Sequence, residues 1–127
     1  MNTSELRIGN YIGHVNYFHK KMHKVIQISN NHVNVETGDT FVSISSDFIM
    51  PMPLTEEILL KCGFANMEQP NEWKYKIRIQ ALTLFVRCNA GHLYMEFGGI
   101  YLGDMIKTVH HLQNFCQTFG RELNPTF

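Results

Sequence analysis

The stretch between Gly103 and Gly120 constrains this chain most. Met105, Val109, Leu112, Cys116 and Phe119 follow one another at spacings of four, three, four and three. At about 100° per residue these side chains make one narrow apolar stripe. Lys107, His110, His111, Asn114, Gln117 and Thr118 fall on the other side. Asp104 is placed to cap the helix, because a short carboxylate accepts from the free N–H groups of a first turn. Gly120 is placed to stop it. A helix this one-sided needs an apolar sheet to lie on, and the residues before it supply one. Trp73, Tyr75, Ile77 and Ile79 alternate with Lys74, Lys76, Arg78 and Gln80. Leu82, Leu84, Val86 and Cys88 share a face, and Leu93, Met95 and Phe97 alternate with His92, Tyr94 and Glu96. Such period-2 runs read as half-buried strands. Asn89-Ala90-Gly91 and Gly98-Gly99 join them through tight turns, so a four-stranded antiparallel meander ending near Leu102 is the economical topology.

Upstream, short apolar runs at 6–12, 24–29, 32–37, 40–44 and 48–50 are separated by Gly9-Asn10, Asn30-Asn31 and Gly38-Asp39. Five short strands with tight turns suggest a small closed barrel or curled sheet. Pro51 and Pro53 end it, since neither can donate to a ladder. Thr55 then caps a short helix carrying Glu56 and Glu57 in its first turn, where the helix dipole favours negative charge. Gly63 and Phe64 suit a Schellman stop against Leu59. The expectation is an α+β chain in two parts. Residues 1–53 form a small β-barrel-like unit, and residues 54–127 form a helix, a four-stranded antiparallel meander and a covering C-terminal helix. Residues 121–127 read as a loosely held tail.

Hydrophobic residues make up 44% and aromatics 12%, which supports a packed core and argues against disorder. The formal net charge is zero, which weighs against a protein that coats DNA while permitting a local basic patch. There is no apolar run of the roughly 20 residues that cross a bilayer, and the polar start reads as lacking a signal segment. A cytoplasmic protein with no membrane association is therefore expected. Cys62, Cys88 and Cys116 are odd in number and lack C-x-x-C spacing, so they read as buried, reduced thiols.

Four constellations carry chemistry. Residues 14–24 hold His14, His19 and His23, the aromatics Tyr17 and Phe18, and Lys20, Lys21 and Lys24. Bases stack on aromatics and phosphates pair with lysine, so this segment suits single-stranded nucleic acid or a nucleotide. A solvated hairpin loop is the plainer reading, because phosphate-driven binding normally shows in the net charge. As a metal site the three histidines lack a supporting cysteine or carboxylate, and no metal or other cofactor is expected. Lys74, Lys76 and Arg78 lie on the strand face opposite Trp73 and Tyr75, which read as core. This basic row suits phosphate, or a charged edge that resists aggregation. His110 and Asn114 on the polar side of the late helix make a ligand patch or an oligomer contact. No G-x-S-x-G elbow, Walker loop or H-E-x-x-H is present, so no catalytic residue is assigned.

Three segments together carry a resemblance: ELRIGNYI at 5–12, PMPLTEEILLKCGF at 51–64 and VHHLQNFCQTFGREL at 109–123. They resemble a group of small uncharacterised proteins encoded by Bacteroidetes and by their phages and prophages. The group has no established activity, so the resemblance implies only an accessory protein of mobile-element type. Together these readings predict a non-catalytic binding protein for a small, nucleotide-like ligand or a host protein. The alternative is nucleic-acid binding by residues 14–24 on an N-terminal barrel loosely like the KOW kind. A homodimer is also expected, its contact on the helix face of His110, Asn114 and Gln117, where charges are depleted, or on the edge strand of the meander, with a monomer as the alternative.

Overall fold

A computed structural model of the 127-residue chain describes residues 1–16, 21–67 and 73–126. Among the described residues the chain is α+β, with two five-stranded antiparallel sheets and two α-helices. It divides into two compact units, Met1–Pro53 with Thr108–His110 and Leu54–Lys107 with His111–Phe127.

The first unit contains β1 (Tyr11–His14), β2 (His23–Ile28), β3 (His32–Thr37), β4 (Thr40–Ser45) and β5 (Ile49–Met50), in the sheet order β4-β3-β2-β1-β5. Leu6, Ile12, Val25, Val33, Val35, Ile44 and Ile49 form its core. A register shift between Val25 and Gln27 interrupts β2, so Val25 and Ile28, three apart, pair with Val35 and Val33 and both pack at the core, while Ile26 is 40% exposed. The expected strand at 6–8 is instead a turn. A 3-10 turn at Thr3–Glu5 precedes it, and the Asn10 side chain accepts from the Arg7 N–H at 2.7 Å. That hydrogen bond closes the backbone locally, leaving Ile8 exposed and only Leu6 in the core. Thr108–His110 join this unit through a bridge between Pro53 and Thr108 and a 2.9 Å bond from the Val109 N–H to the Met52 carbonyl.

The second unit contains α1 (Glu56–Lys61), β6 (Ala65–Asn66), β7 (Tyr75–Ile79), β8 (Leu82–Asn89), β9 (His92–Phe97), β10 (Ile100–Gly103) and most of α2 (Val109–Thr118). The strands run β10-β9-β8-β7-β6, a meander with one strand more than expected, because Ala65–Asn66 after α1 pairs with Tyr75 and Lys76. Thr55 Oγ1 accepts from the Ile58 N–H at 3.2 Å, as its position predicted. Gly63 at φ 98° ends α1, with the Phe64 N–H donating to the Leu59 carbonyl at 3.1 Å in the Schellman manner. Leu59 of α1 and Leu112 and Cys116 of α2 pack on one sheet face, against Tyr75, Ile77, Ile79, Leu84, Val86, Met95 and Phe97.

The late helix is shorter than its stripe. It starts at Val109, so Met105 lies before it and is 75% exposed, while Phe119 after it is 43% exposed and leans on Phe97 and Phe115. Asp104 does not cap it and instead lies 4.0 Å from Lys107 Nζ. His110 is 1% exposed and Gln113 5%, so the side read as polar is closed in part. Gln113 Nε2 donates to the Leu123 carbonyl at 3.0 Å. The tail is accordingly docked: Leu123 is buried, and the Thr126 N–H donates to the Lys61 carbonyl at 3.0 Å. Those hydrogen bonds give the tail the tertiary anchors that its composition does not announce. Cys62 and Cys116 are buried, but Cys88 is exposed near the β8–β9 turn. Alternation sets the face of a residue, and the reach of the helices decides its cover.

Two outcomes follow from this packing. Leu112 is fully buried, so Leu112→Ala should cost about 2–5 kcal/mol by urea unfolding. A loss under about half a kcal/mol would remove α2 from the core. Glu56 accepts from Lys74 Nζ at 2.8 Å and from the Tyr75 hydroxyl at 2.7 Å. These bonds, Lys74 first, hold its carboxyl below the ordinary value of 4.5. A lowered carboxyl pKa contributes stability that is present above the ordinary value and lost as pH falls through the folded one. The melting-temperature gap between wild type and Glu56→Gln should therefore narrow from neutral pH to about pH 3.

Candidate functional site

The site begins with the pleat of β7. Tyr75, Ile77 and Ile79 enter the core, which turns Lys76 and Arg78 to the opposite face. Lys74 does not continue the row. It precedes the strand and pairs with Glu56 of α1 at 2.8 Å. The expected trio of Lys74, Lys76 and Arg78 is therefore a pair on this face, and a third cation arrives from a distant segment.

That cation is Arg121, and the stop of α2 delivers it. Gly120 takes φ 93°, its N–H donates to the Gln117 carbonyl at 3.0 Å, and the Arg121 N–H donates to the Cys116 carbonyl at 2.9 Å. This Schellman geometry turns the chain sharply. Gln80 of the β7–β8 turn reaches this stop, its Nε2 donating to the Gly120 carbonyl at 3.4 Å. Arg121 Nη1 then donates to the Arg78 carbonyl at 2.7 Å, and Arg78 Nε donates to the Gln80 carbonyl at 2.9 Å. Both guanidinium groups are held by backbone acceptors, which orients them at small entropic cost on binding.

Lys76, Arg78 and Arg121 surround a recess of about 360 Å³, completed by Gly63, Ala65, Ile77 and Thr83. Among the described residues no carboxylate lines it. The acids of α1 are engaged elsewhere, Glu57 with Lys61 at 3.2 Å and Glu56 with Lys74. Among the described residues, Lys76, Arg78 and Arg121 have no ion-pair partner. Clustered like charges raise the free energy of the unliganded surface, and an anion with several oxygens relieves it through charge-assisted hydrogen bonds. The Thr83 hydroxyl adds a group that can donate or accept.

The first unit offers a different chemistry. Lys21 is exposed and Lys24 is half-buried opposite Tyr11, whereas Tyr17 and Lys20, with Phe18 and His19, lie outside the described residues. His14 and His23 line a cavity of about 200 Å³ with Val35, Thr37, Val42, Ser43 and Ile44. His14 stacks on Phe48 at 5.5 Å, and its Nδ1 accepts from the Asn16 N–H at 3.1 Å. Among the described residues His23 Nδ1 and Thr37 Oγ1 are buried without a hydrogen-bond partner. Burial, followed by the charges of Lys21 and His14, pushes the His23 pKa below 6.5, so the neutral ring is favoured. The cavity therefore suits a small neutral molecule that can hydrogen-bond. Among the described residues no three His, Cys, Asp or Glu side chains are grouped to hold a metal ion.

His110 and Asn114 do not form the expected outer patch. His110 is buried in the first turn of α2, its Nδ1 3.2 Å from Thr108 Oγ1, and Asn114 is half-buried. Burial pushes the Cys62 thiol up to about 11 and the Cys116 thiol up to about 12, which leaves both as poor nucleophiles. Arg121 is the residue of the recess that the sequence reading missed. Its only local signal is the glycine stop before it, while its partners Arg78 and Gln80 lie about forty residues away. Among the described residues no helix is long and apolar enough to cross a membrane. Comparisons with protein-family models, with curated proteins and with solved structures each gave no match.

Proposed function

We propose that the chain is a non-catalytic binding protein that takes a phosphate-bearing, nucleotide-like ligand in the recess of Lys76, Arg78 and Arg121. The observation that carries this reading is the convergence of three cations, without a counter-charge among the described residues, on a recess of about 360 Å³ within a chain of zero formal net charge. A recess of this size lies within the range of small-molecule sites. The charge segregation is specific, since the acids of α1 are drawn to Lys61 and Lys74. Oriented guanidinium forks match phosphate oxygens two at a time, and Lys76 adds a mobile point charge. Absence of a catalytic motif, and of an activated thiol at Cys62 and Cys116, supports binding rather than turnover. The resemblance to accessory proteins of Bacteroidetes phages and prophages fits a binding role inside a host cell.

Calorimetric titration with inorganic pyrophosphate at low salt tests the reading. Binding is expected, weakening steeply with added salt because the contacts are ionic. Lys76 makes no hydrogen bond or ion pair among the described residues, so Lys76→Ala should fold normally. Its affinity should fall about tenfold, equivalent to about 1.4 kcal/mol. No heat of binding to wild type at low salt, or full affinity in Lys76→Ala, would overturn the reading.

A further inference from the structure

The recess occupies one end of a larger surface. The sheet of the second unit has a core face shut by α1 and α2, and an outer face whose residues the registers identify. One row crosses all five strands: Ala65, Lys76, Phe85, Glu96 and Tyr101. Arg87 is paired with Tyr94 in the next row, and Arg78 with Thr83. Trp73, read from its alternation as core, is half-buried here instead: it lies before β7, where the chain leaves the pleat, and its ring is 6.2 Å from Phe85.

Four aromatic rings thus gather on the face away from the core. Phe85 and Tyr94 are half-buried, and Tyr101 is 56% exposed. The Arg87 guanidinium stands over three of the rings, 5.7 Å from Trp73, 5.1 Å from Tyr94 and 5.9 Å from Tyr101. Its Nη2 donates to the Tyr101 hydroxyl at 3.3 Å. Stacked guanidinium and aromatic planes are the surfaces on which unpaired bases lie. Phe85 is the direct cross-strand neighbour of Lys76, and such neighbours have Cβ atoms about 5 Å apart. The stacking platform and the cationic recess are therefore adjoining parts of one surface.

We propose that this surface binds single-stranded nucleic acid. Phosphates follow Lys76, Arg78 and Arg121, and bases stack on Phe85, Trp73, Tyr94, Tyr101 and the Arg87 plane. The proposal rests on the phosphate reading of the recess and adds the identity of the ligand. Charge complementarity sets the direction. Glu96 lies between Phe85 and Tyr101 and repels a phosphate chain from the middle of the platform, while its carboxylate can accept from a base amino group. A duplex is disfavoured, because its bases are already stacked and their faces hidden. A protein partner would use the same aromatics, but it has no need of a cationic recess beside them.

Trp73 is the single tryptophan of the chain, so its fluorescence reports the platform without a label. Oligo(dT) of about 12 nucleotides should quench it and should bind at least tenfold more tightly than a duplex of the same length. Tyr101→Ala and Phe85→Ala should each weaken oligo(dT) about tenfold while leaving pyrophosphate affinity unchanged. Tyr101 is exposed, so its variant serves if Phe85→Ala fails to fold. Lys76→Ala should weaken both ligands. Pyrophosphate binding without quenching by oligo(dT) would overturn the nucleic-acid proposal alone and turn attention to a protein on the platform. Equal affinity for duplex and single strand, or full affinity in both aromatic variants, would overturn it too. Binding of neither ligand would remove the recess along with it.

Discussion

Closure of one face of the second sheet is the constraint on which the rest depends. Leu59, Leu112 and Cys116 shut that face, and each is 6% exposed or less. Once it is shut, the pleat leaves no choice for the alternate residues of β7 and β8, which must stand on the other side. Lys76, Arg78, Phe85 and Arg87 share a surface for that reason. Hydrophobic burial is non-directional, but in a pleated sheet it acts as a directional instruction to every second residue.

The sign of the charge on that surface follows from the caps. A helix start attracts carboxylates, so Glu56 and Glu57 sit at the head of α1. They draw Lys74 and Lys61 to themselves, by contacts that contribute little energy on an exposed surface but do decide which cations remain. Two of the cations left over lie on β7, whose edge partner β6 is only two residues long and covers Tyr75 and Lys76 but not Arg78. There Arg121 donates to the carbonyl of Arg78, which also blunts an open strand edge.

Much of this was legible in the sequence wherever the cause was local. The Thr55 cap, the Gly63 stop and the alternation of β7, β8 and β9 depend on residues within a few positions of one another. Legibility failed where the cause was distant. Met105 continues the stripe at helical spacing, yet the helix starts at Val109 and leaves it outside. His110 matched a solvated face by type, yet it is 1% exposed with Thr108 Oγ1 at its Nδ1. Half of the recess could be seen in the pattern, because Lys76 and Arg78 are two apart on one strand. Arg121 could not, because the packing of α2 on the sheet brings its stop beside Arg78 and Gln80, some forty residues away.

The docked tail bears on the order in which the chain acquires structure. Helix α1 has six residues, too few to hold together unaided in water. Its last carbonyl at Lys61 waits for the N–H of Thr126, a loop closure spanning more than sixty residues. The first unit likewise waits for Thr108 to meet Pro53. The first unit is incomplete until synthesis has passed His110 and the second until it has reached Thr126, so the early strands emerge from the ribosome with their contacts unfinished. The hairpins of both sheets close locally, while these two closures join elements more than fifty residues apart and form more slowly.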